Sequence, residues 1–180
     1  MSPNISRVGI FPGVTLTQWL ILELETKGGQ SMSRIVHVVG TGTIGEPLIG
    51  LLCHFKEKLG IDEVTFNKRS PLYTDRSKVK TLLDRGAKLS TSSEAMSGFE
   101  KLGLNASLET REAIERSAVV SDCTPSGAGL ANKSEFYEGA SSVKGFIAQG
   151  SEFGFGKMYA RGINDDALIP GEDRFLHVVS

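Results

Sequence analysis

Short apolar runs alternate along the chain with stretches in which apolar residues return every three or four positions. Ile35-Val36-His37-Val38-Val39 is a nearly unbroken apolar run of strand length, and it predicts a buried strand. Glu46 to Leu59 then places Leu48, Ile49, Leu51, Leu52 and Phe55 on one side of a helix, with Lys56, Glu57 and Lys58 closing it. Pro47 falls in the first turn of that helix, where a missing N–H leaves no bond unmade. Glu63-Val64-Thr65-Phe66 predicts a second strand. Asp75 to Arg85 predicts a second helix, with Val79, Leu82 and Leu83 inward and Gly86 as its stop. Glu109 to Ser117 predicts a further helix, with Ala113 and Ile114 inward. Ala118 to Asp122 follows as a strand, Ser134 to Gly139 as a short helix, Val143 to Ala148 as a strand and Arg174 to Val179 as a last strand. Strand and helix in alternation imply an α/β fold with a doubly wound parallel sheet of Rossmann type.

Between the first strand and the first helix stands Gly40-Thr41-Gly42-Thr43-Ile44-Gly45. A glycine-rich turn in that position is the fingerprint of a dinucleotide site. Gly40 permits the tight turn, Gly42 lets backbone N–H groups approach a pyrophosphate, and Gly45 allows close packing of helix on strand. The helix that follows turns its positive end toward the phosphates. The same turn without a ligand would be a structural connection only.

The end of the second strand bears on which dinucleotide. An NAD enzyme carries Asp or Glu there, about 20 residues past the glycines, to bind the ribose 2′-hydroxyl. This chain has Asn67-Lys68-Arg69-Ser70. No carboxylate stands there to repel a phosphate, and Lys68 and Arg69 are two adjacent cations able to receive one. NADP is therefore expected in preference to NAD; the competing reading is a solvated basic loop.

Composition narrows the rest. Lys and Arg number 20 against 21 Asp and Glu, so the net charge of -1 favours neither a nucleic acid nor an anionic membrane as partner. The two cysteines, Cys53 and Cys123, have no metal-ligand spacing and form no disulfide framework, which fits a reducing, cytoplasmic compartment. Cys53 lies on the apolar side of the first helix and reads as core. Residues 1–31 do not continue the pattern. Thr15 to Leu24 is apolar but too short to span a membrane, and no basic region or small-residue cleavage site marks a secretory signal. The segment is either a genuine N-terminal extension or translated sequence upstream of a start at Met32, with residues 32–180 forming the dinucleotide-binding domain.

Asp122-Cys123-Thr124-Pro125-Ser126-Gly127-Ala128-Gly129, followed by Asn132-Lys133, resembles the D-x-T-P-x-G-x-G-x-x-N/Y-K segment of the archaeal-type (type II) glyceraldehyde-3-phosphate dehydrogenases. Further segments are similar in the same order: the Gly42 to Gly45 turn, Lys68-Arg69-Ser70-Pro71, Phe99 to Leu104, Gln149-Gly150 and His177-Val178-Val179-Ser180. The resemblance extends from Met32 to Ser180. It implies that Thr43 and Ile44 meet the pyrophosphate, that Lys68 and Arg69 meet the 2′-phosphate, and that Thr124, Pro125 and Gly127 lie beside the cofactor. Gly150 and Ser151 match the family's Q-G-G-E segment, although Ser151 replaces its second glycine and Phe153 to Gly156 depart from its charged continuation.

In that family a strand ending Val-Val-Ser is followed at once by the nucleophilic cysteine. Ser180 would then contribute to the substrate phosphate site. The nucleophile, its base and the catalytic domain would lie beyond the residues given, so this chain would be the cofactor half of an aldehyde-oxidising enzyme and inert alone. His37 and His177 read as structural, His54 as exposed or packed, and Cys123 as packing. The resemblance further implies a small phosphorylated aldehyde as substrate and a homo-oligomer, a tetramer in the family. Two alternatives are the cofactor domain of a semialdehyde dehydrogenase, such as aspartate-semialdehyde dehydrogenase, and a non-catalytic NADP-binding module.

Overall fold

The computed structural model describes residues 33–150 and 152–179; the expectations for residues 1–31, Ser151 and Ser180 lie outside the described residues. Eight strands among them form one sheet, ordered β4-β3-β2-β1-β5-β6-β8-β7. They are β1 (Ile35–Val39), β2 (Glu63–Asn67), β3 (Lys88–Thr91), β4 (Ala106–Glu109), β5 (Val119–Asp122), β6 (Gly145–Gln149), β7 (Lys157–Tyr159) and β8 (Phe175–Val178). Every pairing is parallel. The helices are α1 (Gly45–His54), α2 (Arg76–Asp84), α3 (Ser93–Lys101), α4 (Thr110–Glu115) and α5 (Ala128–Asn132), the last running on into a π-helical turn at Lys133–Tyr137. The expected doubly wound α/β architecture is the one observed. None of these helices is long and apolar enough to cross a membrane.

The chain moves outward from β1 through β2, β3 and β4, then returns to the other side of β1 with β5. Parallel sheets of this kind leave a crevice where the winding reverses, outside the carboxyl ends of the strands. Here that point lies between β1 and β5, with Val39 beside Asp122 in register.

Alternate residues of β1 serve two apolar layers. Val36 and Val38 join Ile49 and Leu52 of α1, Val79 and Leu82 of α2, and Phe66, Leu89 and Phe99. Val39 joins Val120, Tyr137, Phe146, Ala148 and Phe155 on the opposite face. A parallel strand covered on both faces reads as a continuous apolar run, which is why β1 was evident in the sequence.

Several elements differ from expectation. The helix expected to Leu59 ends at His54. Past it the chain turns through Gly60 at φ +66°, and the N–H groups of Gly60 and Ile61 donate to the carbonyls of Glu57 and Lys56. Glu109 is not helical but caps α4, its carboxylate accepting from the N–H groups of Arg111 and Glu112. The helical segment expected at Ser134 begins at Ala128 instead. Strand β3, strand β4, helix α3 and strand β7 carry no expectation at all. In β3 the reason is physical: Ser90 and Thr91 are fully buried, but their hydroxyls donate to the carbonyls of Phe66 and Lys68, at 3.3 and 2.8 Å. Hydroxyls satisfied this way remove the apolar signature of a buried strand. Helix α3 fully buries a single side chain, Phe99, with Ala95 and the following Leu102 partly buried against the same layer.

His37 lies mid-sheet, fully buried, with Nδ1 2.7 Å from the Thr65 hydroxyl. Burial pushes its pKa down to about 3, so the ring is neutral in the folded chain. Because the unfolded ring takes up its proton near pH 6.5, the unfolded state binds more protons below that pH. Stability is therefore complete above about pH 6.5 and declines toward pH 3, by up to about 1.4 kcal/mol per pH unit. Replacing the pair with His37→Val and Thr65→Val should flatten this slope, as measured by urea denaturation at pH 4.5, 5.5 and 7. An unchanged slope would remove His37 as its source.

Candidate functional site at the carboxyl ends of the strands

A cavity of about 650 Å³ opens where the winding reverses. Val39, Gly40 and Thr41 form its floor, Asn67 to Arg69 one wall, and Thr124 and Pro125 another, with α4 and the α5 segment closing the far side. Of the residues singled out in the sequence, Gly40, Lys68, Arg69, Thr124 and Pro125 meet here. Thr43 and Ile44 lie exposed at the glycine turn, outside the cavity wall. Gly127 takes φ +85° just ahead of α5. Gly150, at φ +74°, is tied through its carbonyl to His177 Nε2 at 2.6 Å.

The three glycines of the turn differ in what requires them. Gly40 adopts φ +98°, and a Cβ there would lie 3.0 Å from the Cys123 carbonyl oxygen. A Cβ on Gly45 would stand 2.0 Å from the Gly40 carbonyl oxygen, so α1 could not approach the turn with any larger residue. Gly42 is otherwise: its φ is ordinary and a Cβ would meet none of the described residues within 4 Å. The fold requires glycine at Gly40 and Gly45 and leaves Gly42 unexplained from within.

The cation pair is not symmetric. Lys68 Nζ lies 2.7 Å from the Asp75 carboxylate, both side chains largely shielded, so it is already engaged. The Lys68 hydrogen bond holds Asp75 below the ordinary carboxylate range. Arg69 is exposed and has no hydrogen bond or ion pair among the described residues. Sequence reasoning missed Asp75, since an ion partner seven positions away across a loop leaves no local signal. Asn67 is the last residue of β2, and its amide nitrogen donates to the Thr110 hydroxyl at 2.9 Å.

The opposite wall is shaped by Asp122, 1 % exposed at the end of β5. Its Oδ1 accepts from the Thr124 backbone N–H at 2.9 Å and from the Thr124 hydroxyl. Its Oδ2 accepts from Asn132 Nδ2 at 2.9 Å and from the Tyr137 hydroxyl at 2.6 Å. One carboxylate thus ties the loop after β5 to both helical turns behind it. Four donors satisfy a buried charge that would otherwise be strongly unfavourable. Burial and the nearby Asp122 push the Tyr137 phenol far above its usual range, so it remains a donor. Asp122 and Asn132 stand in the motif quoted above; Tyr137 lies outside it.

Cys123 belongs to the core. It is 9 % exposed and packed in the same apolar layer as Val36 and Ile49. Burial raises its pKa to about 11; the Asp122 charge adds to this and a contact with the Ser121 hydroxyl opposes it. A thiol held neutral in this way is a poor nucleophile at neutral pH.

Two comparisons with known proteins bear on the site. No protein-family model matches the chain. Over 117 residues it is 34% identical to glyceraldehyde-3-phosphate dehydrogenase 1 of Methanosarcina acetivorans, an alignment covering 65% of this chain and 32% of that protein. The chain therefore spans about a third of that protein's length. The likeness read from the motifs is borne out by this match.

The Asp122 network makes a direct prediction. Asp122→Ala strands the buried Tyr137 and Asn132 donors and should destabilise the chain by about 2–4 kcal/mol, against about 1 kcal/mol for Tyr137→Phe. Equilibrium urea denaturation of both variants measures the difference. Equal losses would show that the carboxylate is not the centre of the network.

Proposed function

We propose that this chain is the dinucleotide-binding part of a phosphorylating glyceraldehyde-3-phosphate dehydrogenase and that it takes NADP in preference to NAD. The observation that carries this reading is Gly42. It is a glycine the fold does not need, in a turn where the other two are forced, beside a cavity at the reversal of a parallel sheet. A bound pyrophosphate would supply the missing requirement, since its oxygens must reach backbone N–H groups with no Cβ between.

The residues present fit such a group. The turn from Gly40 to Gly45, with Thr43 and Ile44 at its exposed tip, would hold the pyrophosphate at the start of α1. Asn67 offers a neutral amide where an acid would oppose a 2′-phosphate, and Arg69 provides a guanidinium with no competing partner. Thr124, held by Asp122, would flank the nicotinamide end with Pro125 and Gly127, and Gly150 and Ser151 would supply backbone there. When bound, the dinucleotide accepts a hydride; this chain's contribution is to orient it and shield one side of it from water.

Aldehyde oxidation through a covalent thioester needs a thiolate and a base. Cys123, buried and neutral, is unsuited to that role. We therefore assign the aldehyde chemistry to the part of the relative that this chain does not span. Ser180 would stand at the substrate phosphate, the substrate would be a small phosphorylated aldehyde, and the whole enzyme would be a cytoplasmic homo-oligomer. The chain alone should form no NADPH from glyceraldehyde 3-phosphate, phosphate and NADP. Formation that a Cys123→Ser change removes would overturn this assignment.

Calorimetric titration tests the binding reading. Gly42→Val should weaken both dinucleotides by about tenfold or more while leaving the melting temperature within a few degrees of wild type, because the added atoms meet only ligand. Gly45→Ala should instead destabilise the fold itself, by about 3 kcal/mol. Arg69→Ala should weaken NADP by about tenfold with NAD nearly unchanged. Equal wild-type affinity for NAD and NADP would contradict the cofactor preference, and unchanged binding in Gly42→Val would contradict the site.

A further inference from the structure

Lys68 enters the cavity wall from a rigid base. Its N–H donates to the Ser90 carbonyl at 3.1 Å, and its own carbonyl accepts from the Thr91 hydroxyl at 2.8 Å, so the backbone continues the sheet beyond β2. Asp75 is held as firmly. It closes the short 3₁₀ turn Tyr73–Asp75, its N–H donating to the Leu72 carbonyl at 3.0 Å. Although Asp75 precedes α2 directly, its side chain makes no capping hydrogen bond to that helix. The carboxylate is directed to Lys68 instead, with only 16% and 24% of the two side chains exposed. The neighbouring cation of α2, Lys78, is shared: its Nζ lies 3.4 Å from Glu46 and 3.4 Å from the Thr41 carbonyl at the glycine turn, and its charge also acts on Asp75.

We propose that Asp75 is a specificity-determining residue, a built-in counter-charge that occupies Lys68 and so limits how strongly the cavity favours a dinucleotide bearing a 2′-phosphate over one without it. The inference rests on the dinucleotide-binding reading above. A phosphate arriving at this wall meets Arg69 free but must share Lys68 with a carboxylate of its own sign. The carboxylate weakens the phosphate twice, by neutralising the ammonium and by direct repulsion. A 2′-hydroxyl carries no charge, so neither effect opposes it. Asp75 thus sets the ratio of the two affinities without touching the part of the cofactor they share.

The prediction runs opposite to ordinary loss of function, because removing a charge should improve binding. Full-length chain is titrated calorimetrically with NADP, NAD, adenosine 2′,5′-bisphosphate and 5′-AMP. Asp75→Asn, which keeps the shape and makes no lost cap, should bind NADP and the bisphosphate about fivefold to tenfold more tightly than wild type. NAD and 5′-AMP should stay within about twofold. Adding Lys68→Ala to Asp75→Asn should erase the gain, and Asp75→Glu, which keeps the charge, should retain the wild-type ratio. Asp75→Ser serves as a second neutral variant should the amide disturb the turn, with melting temperature as the check on folding. An Asp75→Asn affinity for NADP that is unchanged or weaker while NAD still binds would overturn the role of Asp75 and leave the binding reading intact. A gain that survives Lys68→Ala would overturn it as well. Wild-type chain that binds none of the four ligands would overturn the binding reading and this inference with it.

Discussion

The architecture turns on one close approach, where the first residue of α1 lies against the end of β1. With a Cβ on Gly45 only 2.0 Å from the Gly40 carbonyl, the helix sits as near the turn as backbone allows. The same point touches β5: positions for Cβ atoms on Gly40 and Gly45 fall 3.0 and 3.3 Å from Cys123 atoms. Strand, helix and the loop after β5 therefore meet at a place that admits no side chain. Separating them by even a methyl group would move the start of α1 away from the crevice, and with it the helix end whose N–H groups face outward. The buried position of Cys123 follows from this contact, and so does its inert thiol.

The crevice has walls of two kinds. On the β5 side a single carboxylate, Asp122, gathers donors from Thr124, Asn132 and Tyr137. Such a network is rigid because each member is satisfied only in one arrangement. On the β2 side the groups are charged, paired in part and half open to solvent: Lys68 with Asp75, Arg69 with nothing among the described residues. Rigid geometry on one wall and adjustable charge on the other suit a site that must hold one end of a ligand in place and discriminate at the other.

Much of the fold could be read directly from the residues. Strand β1 announced itself as an apolar run, and the glycine turn as a break in it followed by helical periodicity. The β5 loop was recognisable from its spacing of Asp, Thr, Pro and Gly. Where the reading fell silent, polar residues had been drawn into the core by partners distant in sequence. Ser90 and Thr91 of β3 bond to β2 and the residue beyond it, and His37 bonds to Thr65 across 28 positions. The site shows the same division. Local signals marked Gly40, Lys68, Arg69 and Thr124, but not Asp75 or Tyr137, whose importance comes only from what they meet in space. Gly42 illustrates the reverse: the sequence marked it, and nothing among the described residues explains it.

Hydrogen exchange with and without NADP tests the central claim most directly, because it reports where a ligand acts without presupposing a residue. Saturating NADP should slow amide exchange across residues 40–46, 67–70 and 124–132, segments at the mouth of the crevice, and leave the opposite edge of the sheet, at β7, unchanged. Slowed exchange confined to other segments, or no change anywhere at saturating dinucleotide, would contradict the assignment of this crevice as the cofactor site.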